Sequence, residues 1–216
     1  MSNIRDRCRL VLIAPDVDSA DERARIVGDA LKGGDVATVI VPGYGRSDDE
    51  FQRHAEALVP VIQAAGAAAL IVNDSRVAGR AKADGLHIDA PFAELADAVE
   101  KFRPKLIVGA GRVADRHQAL EVGELDPDYV FFGKIGGDIK PEPHPKNLAL
   151  GEWWASMVSI PCIVMGGTDP ASVLAIAETG AEFAALSAAV FAEPGRAAIV
   201  VAEANALLDE KAPRFE

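Results

Sequence analysis

The chain has 216 residues, half of them hydrophobic, and a formal net charge of −11 at neutral pH. This length and composition predict one sizeable core and one domain spanning residues 1–216. The acidic balance argues against nucleic acid or an anionic membrane as a partner, because both require a cationic surface. Cys8 and Cys162 lie far apart without metal-ligand spacing, and the N-terminal apolar run is too short for a signal peptide, so we expect a cytoplasmic protein.

Short apolar runs alternate with helical patterns along the whole chain, which predicts a parallel sheet covered by helices. The runs are continuously apolar, as expected for strands that are buried on both faces. Eight cycles favour an α/β fold of the (β/α)8 TIM-barrel type, whereas an open doubly wound sheet more often stops at five or six strands. Strands are predicted at 10–14, 36–41, 68–72, 86–88, 106–108, 129–132, 162–165 and 183–187, and helices at 21–31, 48–65, 92–102, 115–122, 169–179 and 193–208.

Carboxylates follow several predicted strands, where the active sites of such barrels lie. Asp16 follows the first strand, Asn73-Asp74 the third and Asp89 the fourth. Carboxylates that converge there can bind Mg²⁺, which takes one or two protein carboxylates together with ligand phosphates. The alternative for Asp74 and Asp89 is that they cap the helices that follow, and for Asp89 we favour the cap.

Basic residues also follow the central strands. Gly111 and Arg112 come after the fifth strand, and Lys134 and Lys140 after the sixth. Arg112 suits bidentate phosphate recognition and a lysine supplies a point charge, although these lysines are equally compatible with solvated residues paired with neighbours such as Glu142.

Two aromatic features have open interpretations. His87 lies inside the fourth strand, where a core histidine is at least as well supported as a catalytic one. Trp153-Trp154 falls on the sixth helix and indicates packing or a subunit contact, which leaves a homo-oligomer open.

Residues 133–146 form the one irregular stretch, with Gly136-Gly137-Asp138 followed by three prolines at alternate positions. A long, proline-stiffened loop after the sixth strand lies on the active-site face of a barrel. We therefore expect a functional loop, with a passive connector as the alternative.

The last two strands carry the most informative pattern. Residues 160–168 read Ile-Pro-Cys-Ile-Val-Met-Gly-Gly-Thr, and residues 180–187 read Gly-Ala-Glu-Phe-Ala-Ala-Leu-Ser after one intervening helix. Barrels often bind phosphate at the ends of these two strands, because glycine lets backbone N–H groups approach an anion and a helix N-terminus adds a positive dipole end. A phosphorylated small molecule is therefore the predicted ligand.

Taken together, these segments resemble the thiamine phosphate synthase family, which includes the thiazole tautomerases. The family joins a pyrimidine pyrophosphate to a thiazole phosphate with loss of pyrophosphate, using Mg²⁺. The resemblance implies that Gly166, Gly167, Ser187 and Ala188 hold the thiazole phosphate, that Asn73 and Asp74 serve the pyrophosphate and its metal, and that Lys140 stabilises phosphate charge. The resemblance to this family is carried by residues 10–13, 70–74, 83–88, 128–133, 160–167 and 180–188.

The chain departs from the family pattern around the pyrophosphate. Synthases carry Gln-x-Arg-Glu-Lys at the end of the second strand, where this chain reads Val-Ile-Val-Pro-Gly over residues 39–43. The second metal carboxylate falls on Phe92, so Asp89 would have to replace it from three residues earlier, and the expected Ser and His after strand five are Gly111 and Val113. Efficient synthase activity is therefore in doubt, and the alternatives are a non-catalytic barrel that binds a phosphorylated metabolite and another phosphate-using barrel enzyme.

Overall fold

The structure, a computed structural model, describes residues 6–193 and 195–215. Eight parallel strands close into a barrel in chain order, which confirms the predicted (β/α)8 fold. The strands are β1 Arg9–Ile13, β2 Val36–Val41, β3 Ala68–Val72, β4 Gly85–Ile88, β5 Ile107–Ala110, β6 Tyr129–Phe132, β7 Cys162–Met165 and β8 Phe183–Leu186. The helices are α1 Ala20–Leu31, α2 Asp48–Ala64, α3 Ser75–Ala81, α4 Phe92–Phe102, α5 Arg116–Gly123, α6 Pro145–Met157, α7 Ser172–Ala177, α8 Ala188–Phe191 and α9 Ala197–Lys211.

Strand residues are divided between two apolar layers. Alternate residues such as Val11 and Ile13 point into the barrel, where they pack with Tyr129 and Phe131. The residues between them point outward to the helices, as Leu12 does. Both faces of each strand are therefore buried, which explains the continuously apolar sequence.

The second half of the chain differs from the predicted helices in two places. The helix predicted at 193–208 is present as α9, which begins four residues later at Ala197, after a turn in which Gly195 has φ +88°. The helix predicted at 169–179 is reduced to α7, because Asp169 accepts the amide of Ala171 in a turn that precedes the helix. In both places a turn occupies the first residues of the predicted helix, so the helix begins later than the spacing of apolar residues suggests.

The tryptophan pair has a packing role. Trp154 is fully buried and its indole N–H donates to the carbonyl of Ile160 at 2.7 Å. Trp153 lies beneath the guanidinium of Arg116, 5.0 Å from the ring centroid.

Among the residues that the structure describes, no helix is both long and apolar enough to cross a membrane.

Candidate active site

The loop of residues 133–146, hereafter the β6 loop, packs directly on the end of β7. The amide of Thr168 donates to the carbonyl of Lys140 at 2.8 Å, and that of Asp169 donates to Pro141 at 3.3 Å. A Cβ at residue 167 would overlap the carbonyl of Pro141. The second glycine of the Gly-Gly pair therefore makes room for this loop, which packs at the carboxyl end of the barrel.

The backbone donors predicted to seat a phosphate already have partners within the chain. The amide of Gly166 donates to Ala185 at 2.8 Å, and that of Gly167 donates to the hydroxyl of Ser172 at 3.0 Å. The hydroxyl of Ser187 donates to the carbonyl of Ile13 at 3.1 Å. The fold thus brings the predicted phosphate residues together, and its own groups satisfy their donors.

Asp138 supplies the remaining partner. Its carboxylate accepts the amide of Ala188, the first residue of α8, and the side chain is only 6% exposed. No lysine or arginine of the described residues forms an ion pair with it. A buried carboxylate without a cation is costly, and the N–H group at a helix start is its compensation. The predicted phosphate seat therefore holds an anionic group, and that group belongs to the β6 loop.

Asn73, which follows β3, holds the backbone of Asp89, which follows β4. The Asn73 carboxamide accepts the amide of Asp89 at 2.7 Å and donates to its carbonyl at 3.1 Å. Asp74 caps α3, because its Oδ1 accepts the amides of Arg76 and Val77, both at 2.9 Å. The cap interpretation of Asp89 is wrong: α4 is preceded by Pro91 and has no side-chain cap. The carboxylate of Asp89 instead lines a cleft.

This donor set fits only a lightly held metal. The described residues contain no group of three His, Cys, Asp or Glu side chains that could hold an ion. Asp74 has one oxygen outside its cap, and Asp89 offers a carboxylate that accepts no hydrogen bond from the described chain. Mg²⁺ often takes one or two carboxylates and fills its remaining positions with water and substrate phosphates, so the residues are compatible with that ion.

His87 is a core histidine with one ring nitrogen to spare. Its Nδ1 lies 2.8 Å from the hydroxyl of Tyr129, and burial lowers the pKa of His87 to about 4, so the ring is neutral at physiological pH. Its Nε2 has no partner in the described chain and faces Gly111, where a Cβ would approach it to 2.8 Å. His87 therefore occupies the space that a side chain at position 111 would need, which favours glycine there.

The predicted basic residues fall into two groups. Arg112 and Lys134 line the same cleft as Asp89, between the loops after β4, β5 and β6. Lys140 is exposed beside the end of β7. Within the described residues no lysine pairs with Glu142, so the surface-pair alternative is not what the structure shows.

Sequence reasoning missed a buried arginine of α1 that reaches the backbone just after β1 and β2. Arg23 of α1 is fully buried, donates to the carbonyl of Pro42 at 2.9 Å, and lies 5.3 Å from the ring centroid of Tyr44. Burial lowers its pKa to about 10. Arg46 is tied to Asp16 at 2.7 Å and to the carbonyl of Val17. The sequence did contain a sign of this buried arginine, because Arg23 falls within the apolar stripe of α1, where a charged side chain needs buried partners.

The fold is a (β/α)8 barrel in which the β6 loop packs on the ends of β7 and β8 and the carboxylate of Asp138 accepts the amide of Ala188. The family model described as "Thiamine monophosphate synthase" matches residues 10–190. The chain belongs to that family.

Individual relatives agree with this assignment. A thiamine-phosphate synthase of Rhodospirillum centenum is 32% identical over 207 residues, covering 93% of this chain and 98% of the relative. One from Erythrobacter litoralis is 37% identical over 159 residues, covering 72% of this chain and 74% of the relative. A solved thiamine phosphate pyrophosphorylase of Pyrococcus furiosus has a TM-score of 0.76 and 22% identity, covering 96% and 98% of the two chains. That structural similarity shows the fold alone.

Proposed function

We propose that this chain is a transferase of the thiamine phosphate synthase type, which joins a pyrimidine diphosphate to a thiazole phosphate with loss of pyrophosphate. Family membership supplies the reaction class. The observation that carries the proposal is the hydrogen bond from the amide of Ala188 to a carboxylate, since this donor is already used for an anionic oxygen.

The thiazole phosphate takes the place of the Asp138 carboxylate in this proposal. Ala188 then donates to a phosphate oxygen, and Gly166, Gly167 and Ser187 form the surrounding wall. Lys140 stabilises the phosphate charge, because its carbonyl is anchored to Thr168 and its side chain is exposed at this edge of the mouth.

Magnesium is proposed to bind between β3 and β4, through the uncapped oxygen of Asp74 and the carboxylate of Asp89. When bound, it would neutralise charge on the departing pyrophosphate. Asn73 holds the backbone of Asp89 with two hydrogen bonds, so its proposed role is to position that carboxylate beside the diphosphate.

A specific observation favours a second candidate, a barrel that binds the thiazole phosphate without turnover. The end of β2 lacks the cations implied by the family resemblance, and the nearby Arg46 is engaged with Asp16 and with the carbonyl groups of Gly43 and Val17. Losing charge stabilisation of a leaving group costs about tenfold in rate for each 1.4 kcal/mol. Binding alone would need only the β7 and β8 side of the site.

Turnover decides between the two candidates. The purified chain is incubated with both substrates and Mg²⁺, and each substrate is titrated alone by calorimetry. Turnover that falls in Lys140→Ala but not in Lys105→Ala, an exposed residue that precedes β5, supports the transferase. Binding of thiazole phosphate without turnover supports the second candidate, and failure to bind either substrate refutes both.

Two further properties belong to the same proposal. A cytoplasmic location is supported by Cys8 and Cys162, which are buried free thiols. A homo-oligomer remains a proposal, to be tested by light scattering.

A further inference from the structure

A large cleft of the described part of the chain lies outside the predicted phosphate seat. It has a volume of about 640 Å³ and runs between the loops after β4, β5 and β6 and the beginning of α6. This volume is within the range of roughly 300–1,000 Å³ that is usual for small-molecule sites. Its charged lining consists of Arg112, Lys134, Lys146 and Asp89.

The charge of this cleft is opposite to that of the protein. Three of its charged side chains are cationic and one is a carboxylate, while the chain as a whole carries −11. Arg112, Lys134 and Lys146 form no ion pair with a carboxylate of the described residues. An acidic protein that groups unpaired cations around one concave surface attracts an anion to it.

Arg112 adopts a backbone conformation that is unfavourable for its residue type. Its φ is +56°, in the left-handed region that non-glycine residues seldom occupy. Glycine would adopt this conformation without strain, so a side chain at this position has a cost that packing does not repay, because the residue is exposed. Strain of this kind is common where a side chain must face a ligand.

The beginning of α6 adds to the positive field. The amide of Lys146 donates to Nδ1 of His144 at 3.2 Å, and Asn147 and Leu148 donate to the carbonyl of His144. These N–H groups are therefore already used, so α6 contributes only its dipole. Ligand contacts in the cleft would come from the side chains.

We infer that this cleft binds the diphosphate group of a small ligand. The guanidinium of Arg112 suits two phosphate oxygens at once, and the two lysines supply point charges, Lys134 from the start of the β6 loop and Lys146 from the first turn of α6. Asp89 lies at the same cleft and would contact the metal that accompanies a diphosphate. The inference rests on the proposed function and deepens it, because it moves the diphosphate cations from the end of β2 to the loops after β5 and β6.

The test is titration of inorganic pyrophosphate, with and without Mg²⁺, into five forms of the full chain: the unaltered protein, two double variants, Arg112→Gly and Asp138→Asn. The double variant Lys134→Ala/Lys146→Ala is expected to weaken binding about tenfold or more. The matched control, Lys105→Ala/Lys211→Ala, removes the same charge from exposed residues outside the cleft and should change the affinity about twofold or less. Equal effects in both double variants would overturn the inference.

The fourth form, Arg112→Gly, separates binding from folding. Glycine relieves the positive φ, so the melting temperature should rise or stay constant while pyrophosphate affinity falls. If affinity is retained, the side chain is not a ligand and the inference fails at this residue. If pyrophosphate binds instead at the ends of β7 and β8, Asp138→Asn will change its affinity and the cleft variants will not, which also overturns it.

The turnover assay distinguishes this inference from the proposed function. Pyrophosphate binding that depends on the cleft, without turnover, supports the inference and refutes the transferase. Turnover with an unchanged KM for the pyrimidine diphosphate in Lys134→Ala/Lys146→Ala supports the transferase and refutes the cleft.

Discussion

Replacing Asp138 by asparagine should increase the affinity of the barrel for phosphate. In the structure an incoming phosphate must displace the Asp138 carboxylate from the amide of Ala188. A hydrogen bond to a charged group contributes about 1.5–3 kcal/mol and a neutral one about 0.5–1.5 kcal/mol, so the substitution weakens the internal competitor by about 1–1.5 kcal/mol. This difference corresponds to a roughly tenfold lower dissociation constant.

The carboxamide introduced by Asp138→Asn has nearly the same shape as the carboxylate, so the β6 loop should keep its position while the competing charge is lost. Calorimetric titration with thiazole phosphate and with inorganic phosphate measures the effect. Glu142→Gln is the control, because Glu142 is an exposed carboxylate of the same loop and its loss removes one negative charge. If the two variants bind phosphate equally, Asp138 is not the competitor and the reasoning is refuted.

Three other predictions concern stability and reactivity. Buried His87 stays neutral down to about pH 4, whereas the unfolded chain takes up a proton below about pH 6.5. The free energy of unfolding, measured by urea titration, should therefore fall by roughly 3 kcal/mol between pH 6.5 and 4. In His87→Gln the free energy of unfolding should lack this dependence on pH. Gly167→Ala should destabilise the fold by about 1–3 kcal/mol and speed amide exchange at the end of β7, because its Cβ would overlap Pro141. The control Gly79→Ala, on α3 with nothing within 4 Å, should stabilise the fold by about 0.5–1 kcal/mol. Equal effects of the two substitutions would contradict the contact between residue 167 and Pro141. Burial raises the pKa of the Cys8 thiol to about 12 and that of Cys162 as well, so neither should react with Ellman's reagent until denaturant is added, and rapid labelling of the native protein would contradict their burial.

The barrel could be predicted because its strands are defined locally. Runs such as 36–41 and 129–132 are apolar on both faces, and the predicted bounds coincide with those of β2 and β6. The helix predicted at 193–208 begins only at Ala197, because the turn around Gly195 precedes it. Periodicity detects which residues are buried, but it does not detect where a turn has lower energy.

The candidate site could be predicted only in part. The sequence located Asn73, Asp74 and Asp89 after neighbouring strands, but it did not distinguish a cap from a ligand. That distinction depends on whether the amides at the start of the following helix lie within reach of the carboxylate, which is true of Asp74 and not of Asp89.

By itself, the sequence determined that this chain is an acidic (β/α)8 barrel with Gly-Gly and Ser at the ends of its last two strands, because strand burial and glycine placement are local properties. Only the tertiary structure showed that Asp138 reaches the amide of Ala188, fifty residues later. It alone also grouped Arg112, Lys134 and Lys146 around one cleft. The reason is physical: barrel closure brings loops that are distant in sequence to one rim, and the contacts across that rim depend on loop conformations that no local pattern encodes.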